Sequence, residues 1–337
     1  MQTPRRLRDL GVVVGTLPTG PRNAITDVPG VRVGQTTIAT DDLNTGVTAI
    51  VPDGYADGHP AAVAVGNGYG KLVGSTQVDE LGRIETPILL TGTLSVFRVA
   101  DALVTWLIER DPKATSLNPV VGETNDAFLS DIRRRPITPE HVHAALDSAS
   151  TDLPAEGCVG AGTGTTALGF KAGIGTSSRT VEQGSVGAIV QSNFSGLLTV
   201  LGRPVPAVPV DADGNSCMIV VATDLPLDAR QLGRLARRAV FALARVGSDY
   251  APGSGDYAIA FTTNPAPGYR DKDLRAPFQA VTESVEEALL NSLTMARTTK
   301  GHRGNTAQAV PHDLIQAAVG LGARGDLGHH VGTPDRK

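Results

Sequence analysis

The chain has 337 residues, a mass of 34.9 kDa, a formal charge of −4 and a pI near 6.0. That length supplies a large core, in one big domain or two smaller ones, and the mild acidity argues against a nucleic-acid-binding surface. The two cysteines, Cys158 and Cys217, lie far apart without a CxxC pair, which excludes a disulfide scaffold or a zinc knuckle and fits a reduced cytoplasm.

Residues 1 to 20 are polar and punctuated, an arm or a first turn, and Met1–Leu10 carries charge with no apolar region behind it. No run of 18 apolar residues follows anywhere, so no membrane span is expected. Ile25 to Val33 and Thr45 to Val51 are rich in β-branched residues and flank an Asp41-Asp42-Leu43-Asn44 turn, which predicts an early strand pair. Ala61 to Val65 is a small-residue strand running into Gly66-Asn67-Gly68-Tyr69-Gly70, either the wall of a site or a plain turn. Ile88 to Thr91 is a short strand, and Ser95 to Arg110 reads as a helix capped by Ser95, with Val96, Val99, Ala100, Leu103 and Leu107 on one face. Val120-Val121 leads into Gly122-Glu123-Thr124-Asn125-Asp126, a polar cluster that suits a substrate amine or a surface turn equally. Pro139 to Ala149 is a second helix, with Pro139 at its first position.

Glycines then crowd Glu156 to Thr176. Gly160-Ala161-Gly162-Thr163-Gly164 invites a dinucleotide-loop reading, but neither an apolar strand before it nor an acidic ribose ligand after it is present. Gly184 to Val190 is a strand ending in Gln191-Ser192-Asn193-Phe194, where Asn193 is a candidate oxyanion donor. Cys217 to Ala222 is a buried strand. Leu227 to Gly247 is a helix opened by an Asp228/Gln231 capping box, with an apolar stripe and a surplus of arginine outside it.

Ala251-Pro252-Gly253 is an exposed link, and Gly253-Ser254-Gly255-Asp256-Tyr257 puts a serine at the mouth of a strand whose Tyr257, Ile259 and Phe261 face a core. Two flanking glycines leave the Ser254 hydroxyl unshielded, which suits a nucleophile as well as an ordinary turn. Thr262 to Asp273 is a Pro-rich loop, Phe278 to Arg297 a helix and Asp313 to Leu321 a last short helix, before a frayed tail over 322–337 that carries His329-His330. On the long helix, Ser284 and Glu286 read by themselves as exposed polar groups. HExxH, GxxxxGK[ST] and GxSxG are all absent, so no metal and no cofactor are expected.

Several stretches occur together in one order: Gly66-Asn67-Gly68, Glu85-Thr86-Pro87, Val120-Val121-Gly122-Glu123-Thr124, Gly157 to Gly164, Lys171 to Arg179, Val190 to Phe194, Gly253-Ser254-Gly255-Asp256, Glu286-Glu287-Ala288 and Pro311-His312-Asp313. That series resembles the P1 family, peptidase family S58, of L-aminopeptidase/D-Ala-esterase/amidases and β-peptidyl aminopeptidases, over about residues 25 to 320. The resemblance implies an α+β fold, a four-layer αββα sandwich like that of N-terminal-nucleophile hydrolases with different connectivity, forming a single catalytic domain over 1–337.

It further implies scission of Gly253–Ser254 by the chain itself, giving 1–253 and 254–337. Ser254 would then be an N-terminal nucleophile, Asn193 an oxyanion donor, and Ser284 with Glu286 the pair that orients the nucleophile. Glu123, with Asn125 and Gly68, would bind the substrate, a small peptide or amino-acid amide. Some relatives carry tyrosine where this chain has Asn125. A cytoplasmic tetramer of cleaved pairs completes the expectation. Two rival readings are an ornithine-acetyltransferase-like acyltransferase, against which the serine counts because that type uses threonine, and a non-catalytic member keeping the fold.

Overall fold

A computed structural model describes residues 2–206, 216–266 and 268–321. The tail expected over 322–337, with His329 and His330, lies outside the described residues. The chain opens with a 3-10 turn, Leu7–Leu10, whose Leu7 and Leu10 are buried, so the N-terminal arm is docked rather than loose. The strands that follow are β1 (Val31–Ala39), β2 (Asn44–Pro52), β3 (His59–Gly68) and β4 (Leu72–Val73). After helix α1 (Ser75–Leu81) come β5 (Arg83–Ile84), β6 (Ile88–Gly92), α2 (Val96–Arg110), β7 (Val120–Thr124) and α3 (Pro139–Asp147). Beyond the glycine-rich segment lie β8 (Thr166–Ala167), β9 (Phe170–Lys171), β10 (Ile174–Val181), β11 (Gly184–Asn193), β12 (Thr199–Val200) and β13 (Arg203–Pro204). The last part holds β14 (Ser216–Thr223), α4 (Ala229–Arg245), β15 (Gly255–Thr262), α5 (Arg275–Thr294), β16 (Thr299–Lys300), β17 (Thr306–Ala307) and α6 (His312–Ala318).

The mixed α and β elements form two principal sheets, ordered β1-β2-β6-β7-β4 and β10-β11-β14-β15-β3-β5. Each contains one parallel pair, β6 with β7 and β14 with β15, joined by a helix, α2 or α4, because a parallel connection needs a long crossover. The remaining principal neighbours are antiparallel, beginning with the β1–β2 hairpin that pairs Ala39 with Asn44 around the expected turn.

Both faces of β15 are buried, and alternation sorts its residues. Tyr257, Ile259 and Phe261 join a cluster with Ile50, Leu90 and Val120 of the first sheet. Ala258 and Ala260 join another with Leu235, Ala239 and Leu243 of α4 and Val285 and Leu289 of α5. A third cluster seats Val99, Leu103 and Leu107 of α2 and Val142 and Leu146 of α3 against Val47, Leu89 and Val121. The capping box at α4 is present, with the Asp228 carboxylate accepting the Gln231 N–H at 2.7 Å. Ser95 precedes α2 but makes no side-chain cap. No helix among the described residues is long and apolar enough to cross a membrane.

Candidate active site

The link Ala251-Pro252-Gly253-Ser254 closes as a four-residue turn, with the Ser254 N–H donating to the Ala251 carbonyl at 2.9 Å. Proline and glycine at its centre suit such a turn. A Cβ built on Gly253 would meet nothing within 4 Å, so the turn faces open space. Ser254 itself is only 2% exposed. The serine that its flanking glycines would leave unshielded is thus covered, because the chain dives into β15 immediately behind the turn.

The Ser254 hydroxyl donates to Asp256 Oδ1 at 2.8 Å. Asn67, opposite Asp256 in the β3–β15 ladder, donates from Nδ2 to Asp256 Oδ2 at 3.0 Å and to the Tyr250 carbonyl at 3.1 Å. One amide thus ties the segment before the turn to the carboxylate after it. Burial pushes the Asp256 carboxyl above the ordinary range, against the hydrogen bonds from Ser254, Asn67 and the Cys217 backbone that favour its charged form.

Glu123, at the end of β7, reaches the same place from the first sheet. A Cβ on Gly70 would lie 3.2 Å from Glu123 Oε1, 3.2 Å from Gly255 Cα and 3.1 Å from the Tyr257 ring, which shows how tightly the two sheets meet there. Glu123 Oε1 accepts the Lys71 backbone N–H at 2.9 Å and pairs with Lys71 Nζ at 3.0 Å. Its Oε2 is buried without a hydrogen-bond partner among the described residues. Gly68 pairs with Gly255, and the next residue, Tyr69, donates its N–H to the Ser254 carbonyl at 3.1 Å.

Asn193 ends β11 in the same row, since it pairs with Ser216, which pairs with Gly255. Its Oδ1 accepts the Thr166 N–H at 3.1 Å and its Nδ2 donates to the Asn125 carbonyl at 3.0 Å. Asn125 therefore contributes its backbone, while its side-chain oxygen accepts the Ala127 N–H at 3.0 Å. The neighbouring Asp126 is buried, and burial pushes its carboxyl up to about 7.

Ser284 and Glu286 do not come to this place, which corrects the expectation that they orient the nucleophile. Nor are they exposed: both are buried in α5. The Ser284 hydroxyl donates to the Val186 carbonyl at 3.3 Å, and Val186 pairs with Thr223, which pairs with Thr262 at the opposite end of β15. Seven residues of extended strand separate Val186 from Asn193, roughly 23 Å at about 3.3 Å per residue. Glu286 pairs instead with Arg245 Nε at 2.5 Å, binding α5 to α4. The α5 serine that does reach the Ser254 end is Ser292, which donates to Ser192 Oγ at 2.8 Å. Ser284 and Ser292 share a helix stripe at i and i+8, a spacing that sequence inspection could have flagged but not decided. Asp256, Asn67 and Lys71 were missed for another reason, since each acts through a neighbour far along the chain or through a short local bend.

A profile of peptidase family S58 matches residues 23–307. The chain belongs to peptidase family S58. It is similar to the family's β-peptidyl aminopeptidase from Sphingosinicella xenopeptidilytica, with 40% identity covering 92% of this chain and 90% of that protein. Among solved structures it is similar to a Burkholderia sp. β-aminopeptidase, at a TM-score of 0.88 and 38% identity over 95% of this chain and 100% of the other. It is also similar to the L-aminopeptidase D-Ala-esterase/amidase of Ochrobactrum anthropi, a serine aminopeptidase described as a variant of the Ntn hydrolase fold. That match has a TM-score of 0.85 and 34% identity over 93% of this chain and 98% of the other. Membership of the family makes the chain a hydrolase of peptide bonds.

Proposed function

We propose that this chain is a self-processing serine aminopeptidase or amidase that releases N-terminal residues from small peptides, amides or esters. One observation carries the reading: the 2.8 Å Ser254–Asp256 hydrogen bond at the foot of an open turn, in a chain of this family. The reading includes one catalytic domain built as a four-layer αββα sandwich, and the three separate hydrophobic clusters support it.

Before cleavage no free amine exists at Ser254, so another base must take its proton. Asp256 is the group within reach. As Ser254 Oγ bonds to the Gly253 carbonyl carbon, its proton passes to Asp256, and the same proton is delivered to the Ser254 nitrogen when the Gly253–Ser254 bond breaks. Water hydrolyses the ester, leaving chains 1–253 and 254–337. The new α-amine, with a reference pKa of about 7.7–8.0, then serves as base for its own hydroxyl at neutral pH.

In the mature enzyme Ser254 attacks the carbonyl after the substrate's first residue, and water releases the acyl group. Asn193 donates to the oxyanion with the amide hydrogen that Asn125 does not use, since an amide NH₂ carries two donors. Glu123 receives the substrate ammonium through its unpartnered Oε2. Gly68 and Asn125 shape the wall beside it. We further propose that the enzyme works as a cytoplasmic tetramer of cleaved pairs.

The test is intact mass with turnover of amino-acid p-nitroanilides. Two fragments meeting at Gly253–Ser254 in the wild type are expected. Ser254→Ala should give one uncut chain of 34.9 kDa with turnover lower by on the order of 10⁴-fold or more. An uncut, inactive wild type would sink the reading, and acyl transfer to an added amine in preference to water would favour the acyltransferase.

A further inference from the structure

The Glu123 carboxylate is already half engaged. Its Oε1 holds Lys71 Nζ at 3.0 Å, yet Oε2, buried, has no hydrogen-bond partner among the described residues. Lys71 is the exposed half of the pair, with 39% of its side chain accessible against 3% for Glu123. The charge pattern at the site is therefore one anion with a cation in contact and a second acceptor unused.

This pattern discriminates between substrates. A substrate bearing only an ammonium gains attraction from Glu123 but meets repulsion from the Lys71 ammonium at comparable distance, so the two effects largely offset. A substrate whose ammonium-bearing carbon also bears a carboxylate meets no such penalty. Its ammonium takes Oε2, its carboxylate takes Lys71 Nζ, and the four charges alternate in sign. Charge-assisted hydrogen bonds of this kind are about twice as strong as neutral ones.

We propose that Lys71 and Glu123 together form a receptor for a zwitterionic α-amino-acid head, and that the preferred substrates are isopeptides in which an acidic residue is joined through its side-chain carbonyl. These are β-aspartyl or γ-glutamyl peptides, which share a free ammonium and a free carboxylate on one carbon and differ by one methylene in reach to Ser254. The inference rests on the aminopeptidase reading above. The bond broken is the side-chain amide: Ser254 Oγ takes the acyl group, the amine leaves with a proton, and water regenerates the enzyme.

The experiment compares β-aspartyl-alanine, γ-glutamyl-alanine, α-aspartyl-alanine and β-alanyl-alanine on the cleaved wild-type enzyme. Either isopeptide is expected to exceed β-alanyl-alanine at least tenfold in kcat/KM, and the two isopeptide arms tell which reach is used. Lys71→Met should lower kcat/KM for that isopeptide at least tenfold, mainly through KM, and raise it for β-alanyl-alanine, while Lys71→Arg keeps the wild-type order. Should Lys71→Met not fold, free L-aspartate or L-glutamate should inhibit the wild type at least tenfold more strongly than β-alanine does. Preference for β-alanyl- or α-aspartyl-alanine, or a ratio unmoved by Lys71→Met, would overturn the proposal and leave the aminopeptidase reading standing. A cut enzyme that hydrolyses none of the four overturns both.

Discussion

Both ends of the second sheet carry buried polar groups but treat them in opposite ways. At the Val186–Thr262 end, Arg179 is fully buried and pairs with Glu283 at 3.1 Å and Glu287 at 2.7 Å, while Arg8 reaches Glu287 at 2.8 Å. At the Asn193–Gly255 end, Asp256 is held by neutral donors alone, the Ser254 hydroxyl, the Asn67 amide and the Cys217 backbone, while among the described residues Asp126 Oδ2 has no hydrogen bond and Glu123 keeps one oxygen unused. Burying a carboxylate without full compensation is costly, and a fold keeps such groups where chemistry uses them. Saturated pairing marks the scaffold and incomplete pairing marks the site, even where the residue types are the same.

The sharpest way to break this contrast is at Asp256. Asp256→Asn keeps the shape and the Ser254 contact but removes the base, so self-cleavage should slow by about 10² to 10⁴-fold in a folded chain, followed by intact mass over time. In the wild type, processing needs the carboxylate form. Its rate should therefore fall as pH drops through a midpoint above the usual aspartate value, because burial raises that group. Asn67→Ala, which removes a hydrogen bond to the charged form, should move the midpoint higher still. Cleavage of Asp256→Asn at the wild-type rate would assign the proton to another group.

At the opposite end the expected loss is in stability. Arg179→Met leaves Glu283 and Glu287 without their shared cation, and removing one partner of such a buried set costs about 3–5 kcal/mol, measurable by denaturant unfolding. An unchanged midpoint would show that this cluster is not the scaffold it resembles.

Asp126 tests the site end in the same currency. Its folded pKa, about 7, lies above the unfolded value of about 3.9, so its contribution to stability is fully present below about pH 4 and is lost as pH rises through about 7. Asp126→Asn should abolish that decline and leave the protein more stable at pH 8, by up to about 4 kcal/mol. Thermal midpoints of both proteins at pH 5 and pH 8 measure it, and parallel pH profiles would contradict it.

Ser284→Ala should have the smallest effect. Its hydroxyl makes one long bond to the Val186 carbonyl, 3.3 Å, so a cost of about 1 kcal/mol or less is expected, with processing and turnover as in the wild type. A loss of turnover comparable to that of Ser254→Ala would return Ser284 to the catalytic group and refute its placement at the far end.

Much of this protein was legible in its residues. Period-2 alternation located β15, the 3.6-residue stripe with its capping box located α4, and the order of the glycine-rich motifs identified the family, because these signals are local or are carried by short runs that stay contiguous. The polar groups of α5 were not legible. Ser284 and Ser292 lie two helical turns apart on one stripe, and only the lie of α5 across the sheet, running with β11 and against β10, decides which of them stands at the Ser254 end. The same holds for the meeting of Glu123 with Gly70 and Gly255, which joins two sheets through residues more than 50 positions apart in sequence. The sequence by itself determined the turn, the serine and the strand behind it. Tertiary structure alone decided that the serine is covered, that Asp256 is its partner and that Lys71 already occupies half of Glu123, since burial and charge pairing depend on which chain segments the packed sheets bring together.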